Sequence, residues 1–273
     1  MGVKVIDFTG GEPLLHREIA TFFELAKKQR FITTLTTNAL LYPKYAEKLR
    51  GKVDMLHFSL DSPIAEEHDQ SRGVNCFDAV MNSIQIAKSL GERPDILFTV
   101  HEGNLHQIQQ VYDEITRPNN LILILNPMFE YQEVGKELNK EAIDKLKKWG
   151  RKKHVYLNKG FMKLREAGGN HIAHPVCKAM STTVVISPEN KMIMPCYHLG
   201  LEQLPIENNL LELRNSKEVK AQIALEGKHA GCEGCTVNCY MQPSFATEIN
   251  SYFWSALPST LKYSWEKKMW RSL

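Results

Sequence analysis

Long apolar runs are scarce in this sequence. The longest aliphatic run in a strand-like segment is Leu121 to Leu125, far short of the ~20 residues that span a bilayer, which excludes a transmembrane helix. The first ten residues already hold Lys4, Asp7 and two glycines, so they do not form the apolar centre of a secretory signal. An excess of one charge is also lacking: 34 Lys and Arg stand against 31 Asp and Glu, a net +3. A phosphate backbone would call for a basic stripe, so nucleic acid is not an expected partner, and the expected compartment is the cytoplasm. Cysteine is sparse over most of the chain, since only Cys76 precedes Cys177.

What is present is a repeated βα pattern. Val3 to Phe8, Ile32 to Thr37, Met55 to Leu60, Ile96 to Val100 and Leu121 to Leu125 are β-rich. Between them, Ile19 to Lys28, Tyr45 to Arg50, Phe77 to Leu90 and Leu105 to Ile115 repeat apolar residues every three or four positions. That period buries one helix face, so the fold expected is α/β, with parallel strands joined by crossover helices. Cys76 precedes Phe77, Val80, Met81 and Ile84 and reads as a plain core residue. Lys140 to about Gly169 reads as a charged helical connector with Ile143, Leu146 and Trp149 as its inner stripe. A hairpin is expected from Thr182 to Ser187 and Met192 to Pro195, joined by Pro188 to Lys191.

In a parallel βα barrel, side chains from several strands converge at the C-terminal strand ends. Here those ends read Thr9-Gly10-Gly11-Glu12-Pro13, Thr36-Thr37-Asn38 and Ser59-Leu60-Asp61-Ser62. Glycines allow close backbone approach, and Glu12 can bind an ammonium group. Asn38, Ser59 and Asp61 can bond carboxylate or ribose hydroxyls, and Arg72 offers a fork for a carboxylate. Each motif alone is compatible with simple turns; together they suggest a rim for a small zwitterion.

The remaining five of six cysteines are Cys177, Cys196, Cys232, Cys235 and Cys239. A Cys-x-x-Cys turn places two sulfurs on one metal or cluster, and soft thiolates suit iron–sulfur or zinc. Five thiols exceed the need of one four-coordinate site by one, and which four bind stays open. His198 stands two residues beyond Cys196 as a substitute ligand or a surface group.

Gly10-Gly11-Glu12-Pro13 after an apolar strand resembles the S-adenosylmethionine (SAM) ammonium motif of radical SAM enzymes. Thr37-Asn38, Ser59-Leu60-Asp61 and Arg72-Gly73 follow in the order that family shows. The five late cysteines resemble the SPASM and twitch auxiliary modules, the shorter form most closely. The resemblance implies a partial βα barrel lacking its first βα unit over 1–170, an auxiliary module with one 4Fe-4S cluster over 171–245, and an aromatic and basic tail over 246–273. It implies SAM binding by Gly10, Gly11, Glu12, Pro13, Thr37, Asn38, Ser59, Asp61 and Arg72. It further implies a 5'-deoxyadenosyl radical that abstracts hydrogen from a peptide, lipid or small metabolite, and a reductant such as flavodoxin or ferredoxin. No residue reads as general acid or base.

The sequence departs from the family in having no CxxxCxxC loop for the SAM-ligating 4Fe-4S cluster. Met1 is therefore expected to be an internal methionine read as a start, or the chain to be truncated, with the second cluster present only in a full-length form. The alternative is a non-catalytic iron–sulfur or zinc protein that carries electrons or binds a partner. A radical-free methyl transfer is less consistent, since the Rossmann glycine fingerprint is absent. The tail from Tyr252 to Leu273, with Phe253, Trp254, Tyr263, Trp265 and Trp270 among Lys262, Lys267, Lys268 and Arg271, is expected to pack on the protein rather than on a membrane surface.

Overall fold

The structure, a computed structural model, describes residues 2–129, 138–207 and 209–269; Met1, Trp270 and Arg271 lie outside them. The chain forms two compact units. One comprises Met1–Met128, Asp144–Leu157 and Lys262–Leu273, the other Phe129–Ile143 and Asn158–Leu261. The chain thus interleaves between units, whereas the sequence suggests divisions near residues 170 and 245.

The first unit is built on a six-stranded parallel sheet in sequential order. Its elements run β1 (Val5–Phe8), α1 (Ile19–Lys28), β2 (Ile32–Thr37), α2 (Tyr42–Leu49), β3 (Met55–Leu60), α3 (Ala65–Arg72), α4 (Phe77–Ser89) and β4 (Asp95–Val100). A mixed helical stretch follows in place of the single helix expected from Leu105 to Ile115: a 3-10 segment Glu102–Gln107, α5 (Ile108–Gln110) and a π segment Val111–Thr116. β5 (Leu123–Pro127), α6 (Lys140–Trp149) and β6 (Val155–Tyr156) complete the run. β6 breaks the expected helical connector after its first ten residues; two residues are too few for periodicity to show.

Register decides the character of each sheet face, because successive side chains of a strand point to opposite sides. Phe8 aligns with Leu35, Phe58 with Ile96, Leu60 with Phe98, and Phe98 with Leu125. This face packs on the helices: Phe8 meets Phe23 of α1 at 4.3 Å between ring centroids, and Phe58 meets Tyr42 of α2 at 4.8 Å. Burying such a side chain contributes about 1.5–3 kcal/mol. The opposite face carries the register neighbours Asp7 and Thr34, then Thr36, His57 and Asp95, then Thr99 and Asn126. Parallel sheets are usually apolar on both faces, so this polar face departs from a packed core.

The second unit contains α7 (Lys159–Glu166), α8 (Ala179–Thr182), β7 (Val185–Ile186), β8 (Lys191–Met194) and β9 (Glu202–Pro205). α9 (Leu210–Asn215), α10 (Lys217–Ala224), α11 (Asn238–Ser244) and α12 (Ser251–Lys267) follow, the last continuing into the first unit. β7 and β8 form the expected hairpin, with Asn190 at φ 57° in its turn. β9 adds a third antiparallel strand through residues too polar to signal one. Met180, Met192, Met194 and Val219 form its small buried core.

Among the described residues, no helix is long and apolar enough to cross a membrane. Ser251–Lys267 of the tail is helical, and Lys262 and Lys267 are used internally. Lys262 Nζ donates to the carbonyls of Gly150 at 3.0 Å and Val155 at 2.9 Å, and Lys267 Nζ lies 2.8 Å from Asp95 Oδ1. Those cations are consumed within the fold rather than presented to lipid.

Candidate functional site

The polar strand ends of the first unit frame a cleft of about 340 Å³. Of the residues expected there, Gly10, Gly11, Thr37, Asn38, Ser59 and Arg72 line it, together with Thr9, Thr36, Val74 and Cys76. Gly10 has φ 108°, a backbone that L side chains rarely adopt. Glu12, Pro13 and Asp61 do not line the cleft; each acts on a residue that does, or shapes the loop.

Glu12 joins the first two strand ends. Its Oε1 accepts from Thr37 Oγ1 at 2.7 Å and Leu14 N at 3.0 Å, and its Oε2 accepts from Asn38 N at 2.8 Å. Pro13 opens the 3-10 turn that Glu12 caps. Asp61 holds Arg72: Nη2 donates to Oδ1 at 2.9 Å, and Nε lies 2.7 Å from Oδ2, off the N–H direction. The guanidinium thus reaches the cleft wall already paired with a carboxylate, and a ligand carboxylate would have to share it.

His68, Asp69 and Cys76 offer ligand atoms within 4.8 Å of one another, but their hydrogen bonds argue against an ion. A backbone N–H can only donate, so His68 Nδ1, 3.1 Å from Asp61 N, is the acceptor and Nε2 carries the proton. That proton points to Cys76 Sγ at 3.3 Å. Asp69 Oδ1 accepts from Cys76 N and Phe77 N, both at 2.8 Å, and so caps α4. Burial holds the Cys76 thiol above its ordinary pKa. The trio fastens α3 to α4, and Cys76 is 2% exposed.

The five late cysteines all lie in the second unit. Burial first, then the neighbouring Cys235, Cys232 and Cys196, push the Cys177 thiol up to about 12. Burial, Cys235 and Cys196 likewise push Cys232 up to about 11. Cys177, Cys196, Cys232 and Cys235 are therefore close enough to feel one another. Cys239 is exposed, with its Sγ 4.0 Å from His198 Nε2. His198 packs edge-on against Phe129 and Tyr240.

These thiols are soft donors of the kind that hold iron–sulfur clusters or zinc. A tetrahedral zinc with Zn–S near 2.3 Å would bring its sulfurs to roughly 3.8 Å from one another. Among the described residues, the trio of ligand atoms gathered within 4.8 Å is the His68 group, not the thiols.

With folded pKa values raised above the ordinary 9.0, Cys177 and Cys232 stay protonated when their unfolded counterparts ionise. The stability they contribute is complete below pH 9 and is lost as pH rises toward 11–12. The metal-free chain is expected to show a falling thermal midpoint over that window, and Cys177→Ala a shallower fall. An unchanged slope in that variant would contradict the assignment.

The frame around these thiols includes residues that the sequence reading missed. Asn170 is fully buried and bonds to the backbone at Cys177, Cys232 and Cys235. Tyr240 OH accepts from Tyr197 N, beside Cys196, at 2.9 Å. A lone Asn after two glycines looks like a turn, and a Tyr in a short helix looks like core.

Residues 1–115 match the Radical SAM superfamily profile. Over 146 residues the chain is 27% identical to a probable GTP 3',8-cyclase of Methanococcus maripaludis, covering 52% of this chain and 48% of that protein. It is 28% identical over 115 residues to the AdoMet-dependent heme synthase of Nitratidesulfovibrio vulgaris, 41% and 31% of the two chains. The chain thus spans about half or less of those two relatives. In fold it is similar to Streptococcus suis SuiB, with TM-score 0.63 and 17% identity over 91% of this chain and 66% of that one. It is similar also to anSMEcpe with bound AdoMet, with TM-score 0.59 and 19% identity over 97% and 80%. The polar cleft at successive parallel strand ends and the Gly-Gly-Glu-Pro turn beside it lie within the segment, residues 1–115, that is similar to the Radical SAM superfamily.

Proposed function

We propose that the first unit binds SAM in the strand-end cleft and that the second unit holds one 4Fe-4S cluster on Cys177, Cys196, Cys232 and Cys235. The observation that carries this reading is the convergence of Gly10, Gly11, Thr37, Asn38, Ser59 and Arg72 on one cleft. Gly10 and Gly11 admit the ligand close to the backbone, and Asn38 and Ser59 offer hydrogen bonds to its polar groups. Glu12 keeps Thr37 and Asn38 in place, and its carboxylate contributes negative charge at the end facing an ammonium. The Asp61–Arg72 pair sets the opposite wall.

In radical SAM enzymes, SAM with a reduced cluster would supply a radical able to abstract hydrogen from substrate. The sequence contains no CxxxCxxC loop, so no residue here is assigned to that cluster and no step is derived through it. A reductant and a substrate are the partners this reading needs, with flavodoxin or ferredoxin as the class of reductant. The relatives named above differ in their products, so no substrate is assigned. The five thiols gathered in the second unit also support a second reading, a non-catalytic iron–sulfur or zinc protein that transfers electrons or binds a partner.

Gly11 provides the test of the cleft. Gly11 lines the cleft and a Cβ there meets nothing within 4 Å, so Gly11→Leu adds bulk at the cleft wall starting from open space. SAM binding by anaerobic equilibrium dialysis is expected to weaken at least tenfold, about 1.4 kcal/mol, with an unchanged thermal midpoint. Equal SAM affinity in the variant, or no saturable binding by the parent chain, rules the cleft out as the SAM site.

A further inference from the structure

We propose that Asn170 is the positioning residue of the thiol centre, fixing Cys177 against Cys232 and Cys235 before any metal arrives. This rests on the reading of those cysteines as cluster ligands. Asn170 is 0% exposed, and every polar group it has is engaged. Its Oδ1 accepts from Val176 N and Cys177 N, both at 3.0 Å. Its Nδ2 donates to the carbonyls of Gly227 at 2.9 Å and Cys232 at 3.1 Å. Its backbone N–H donates to Cys235 O at 3.0 Å, and its carbonyl accepts from Gly234 N at 2.8 Å.

The orientation of the carboxamide is set by chemistry, since backbone N–H groups only donate and carbonyls only accept. Two donors and two acceptors of one side chain therefore tie the loop before Cys177 to the loop carrying Cys232 and Cys235. No other residue type repeats this set. Aspartate keeps the two acceptors but turns a carboxylate toward two carbonyls, and glutamine is one methylene too long.

The approach of the two loops needs glycine beside Asn170. Gly169 has φ 88°, and a Cβ there would stand 2.2 Å from Gly234 O. Gly227 has φ 70°, and a Cβ there would stand 2.8 Å from Cys177 O. The fourth thiol is held separately, through Tyr197 N and Tyr240 OH, while Ser244 Oγ accepts from Lys178 N and donates to Tyr240 O. The thiol geometry is thus a property of the polypeptide, with Asn170 at its hub.

The test compares Asn170→Asp with Asn158→Asp in the full chain. Asn158 is also buried and caps α7 through a bond from Phe161 N that aspartate also accepts. After anaerobic reconstitution, Asn170→Asp is expected to release iron to a chelator at least tenfold faster. The EPR spectrum of its residual reduced cluster should shift, while Asn158→Asp matches the parent in both. An Asn170→Asp chain with parental iron retention and parental EPR overturns the proposal.

A second arm needs no metal. In the metal-free parent chain, Cys177 is expected to react with iodoacetamide at least tenfold more slowly than in urea. Equal rates would mean that the loops are not preset, and the proposal falls. If the parent takes up no iron, the cluster reading fails, and alkylation of Cys177 in parent and Asn170→Asp still decides the positioning role.

Discussion

Replacing any one of Cys177, Cys196, Cys232 and Cys235 by alanine will remove most of the iron that the chain takes up on anaerobic reconstitution, while Cys239→Ala will keep it. The sequence leaves five thiols equivalent, but the structure does not. Cys177 and Cys232 are buried, and each is influenced by Cys196 and Cys235, whereas Cys239 is exposed and adjoins His198. A site missing one of its four thiolates offers a cluster corner with no protein ligand, and each lost ligand lowers the binding energy that holds the cluster. Iron and acid-labile sulfide per chain, measured for the five single variants, should separate four low values from one parental value. Parental iron in Cys177→Ala together with loss in Cys239→Ala would replace this set with one that includes Cys239. Zinc at one ion per chain, with no sulfide, would replace the cluster itself.

The site was legible in the sequence wherever a motif was local and was illegible wherever a partner was remote. Gly10, Gly11, Thr37, Asn38 and Ser59 stand at the ends of strands whose β-rich runs are plain, so their convergence follows from parallel topology. The pairing of Asp61 with Arg72 was not legible, because both looked like ligand contacts, and only the turn of α3 brings the guanidinium back to the carboxylate. Asn170 was missed for the same reason. Its partners Gly227 and Cys232 stand 57 and 62 residues away, and nothing in a Gly-Gly-Asn sequence points to them. The short strands β6 and β9 give two and four residues of signal, below what an alternating pattern needs.

The tail shows the same limit with a larger energy attached. Its aromatic and basic residues suggest packing on the protein; Trp254 and Trp265 are exposed, whereas Tyr263 and Lys267 reach Asp95, at the start of β4 and 0% exposed. Lys267 Nζ lies 2.8 Å from Asp95 Oδ1, and Tyr263 OH donates to Asp95 Oδ2 at 2.5 Å. His57 Nε2 lies 3.6 Å from the same carboxylate; burial lowers its pKa against the pull of Asp95. Burial and the adjacent carboxylate raise the pKa of Tyr263, so it stays a donor.

Asp95→Leu will therefore leave the Lys267 ammonium, only 7% exposed, without its counterion. Taking one partner from a buried ion pair costs about 3–5 kcal/mol, because the remaining charge keeps its desolvation penalty and loses the attraction that offset it. Lys267→Met should cost a similar amount from the other side. The double variant Asp95→Leu with Lys267→Met should recover most of that loss, since no charge is then buried and the volume is filled. Urea unfolding of the four chains gives the comparison. Single variants within about 1 kcal/mol of the parent would mean that the pair is solvated and that the C-terminal helix is held by its other contacts, those of Lys262 among them. A double variant as unstable as the sum of the singles would mean that the two residues act independently, leaving Tyr263 and His57 as the groups that keep Asp95 in place.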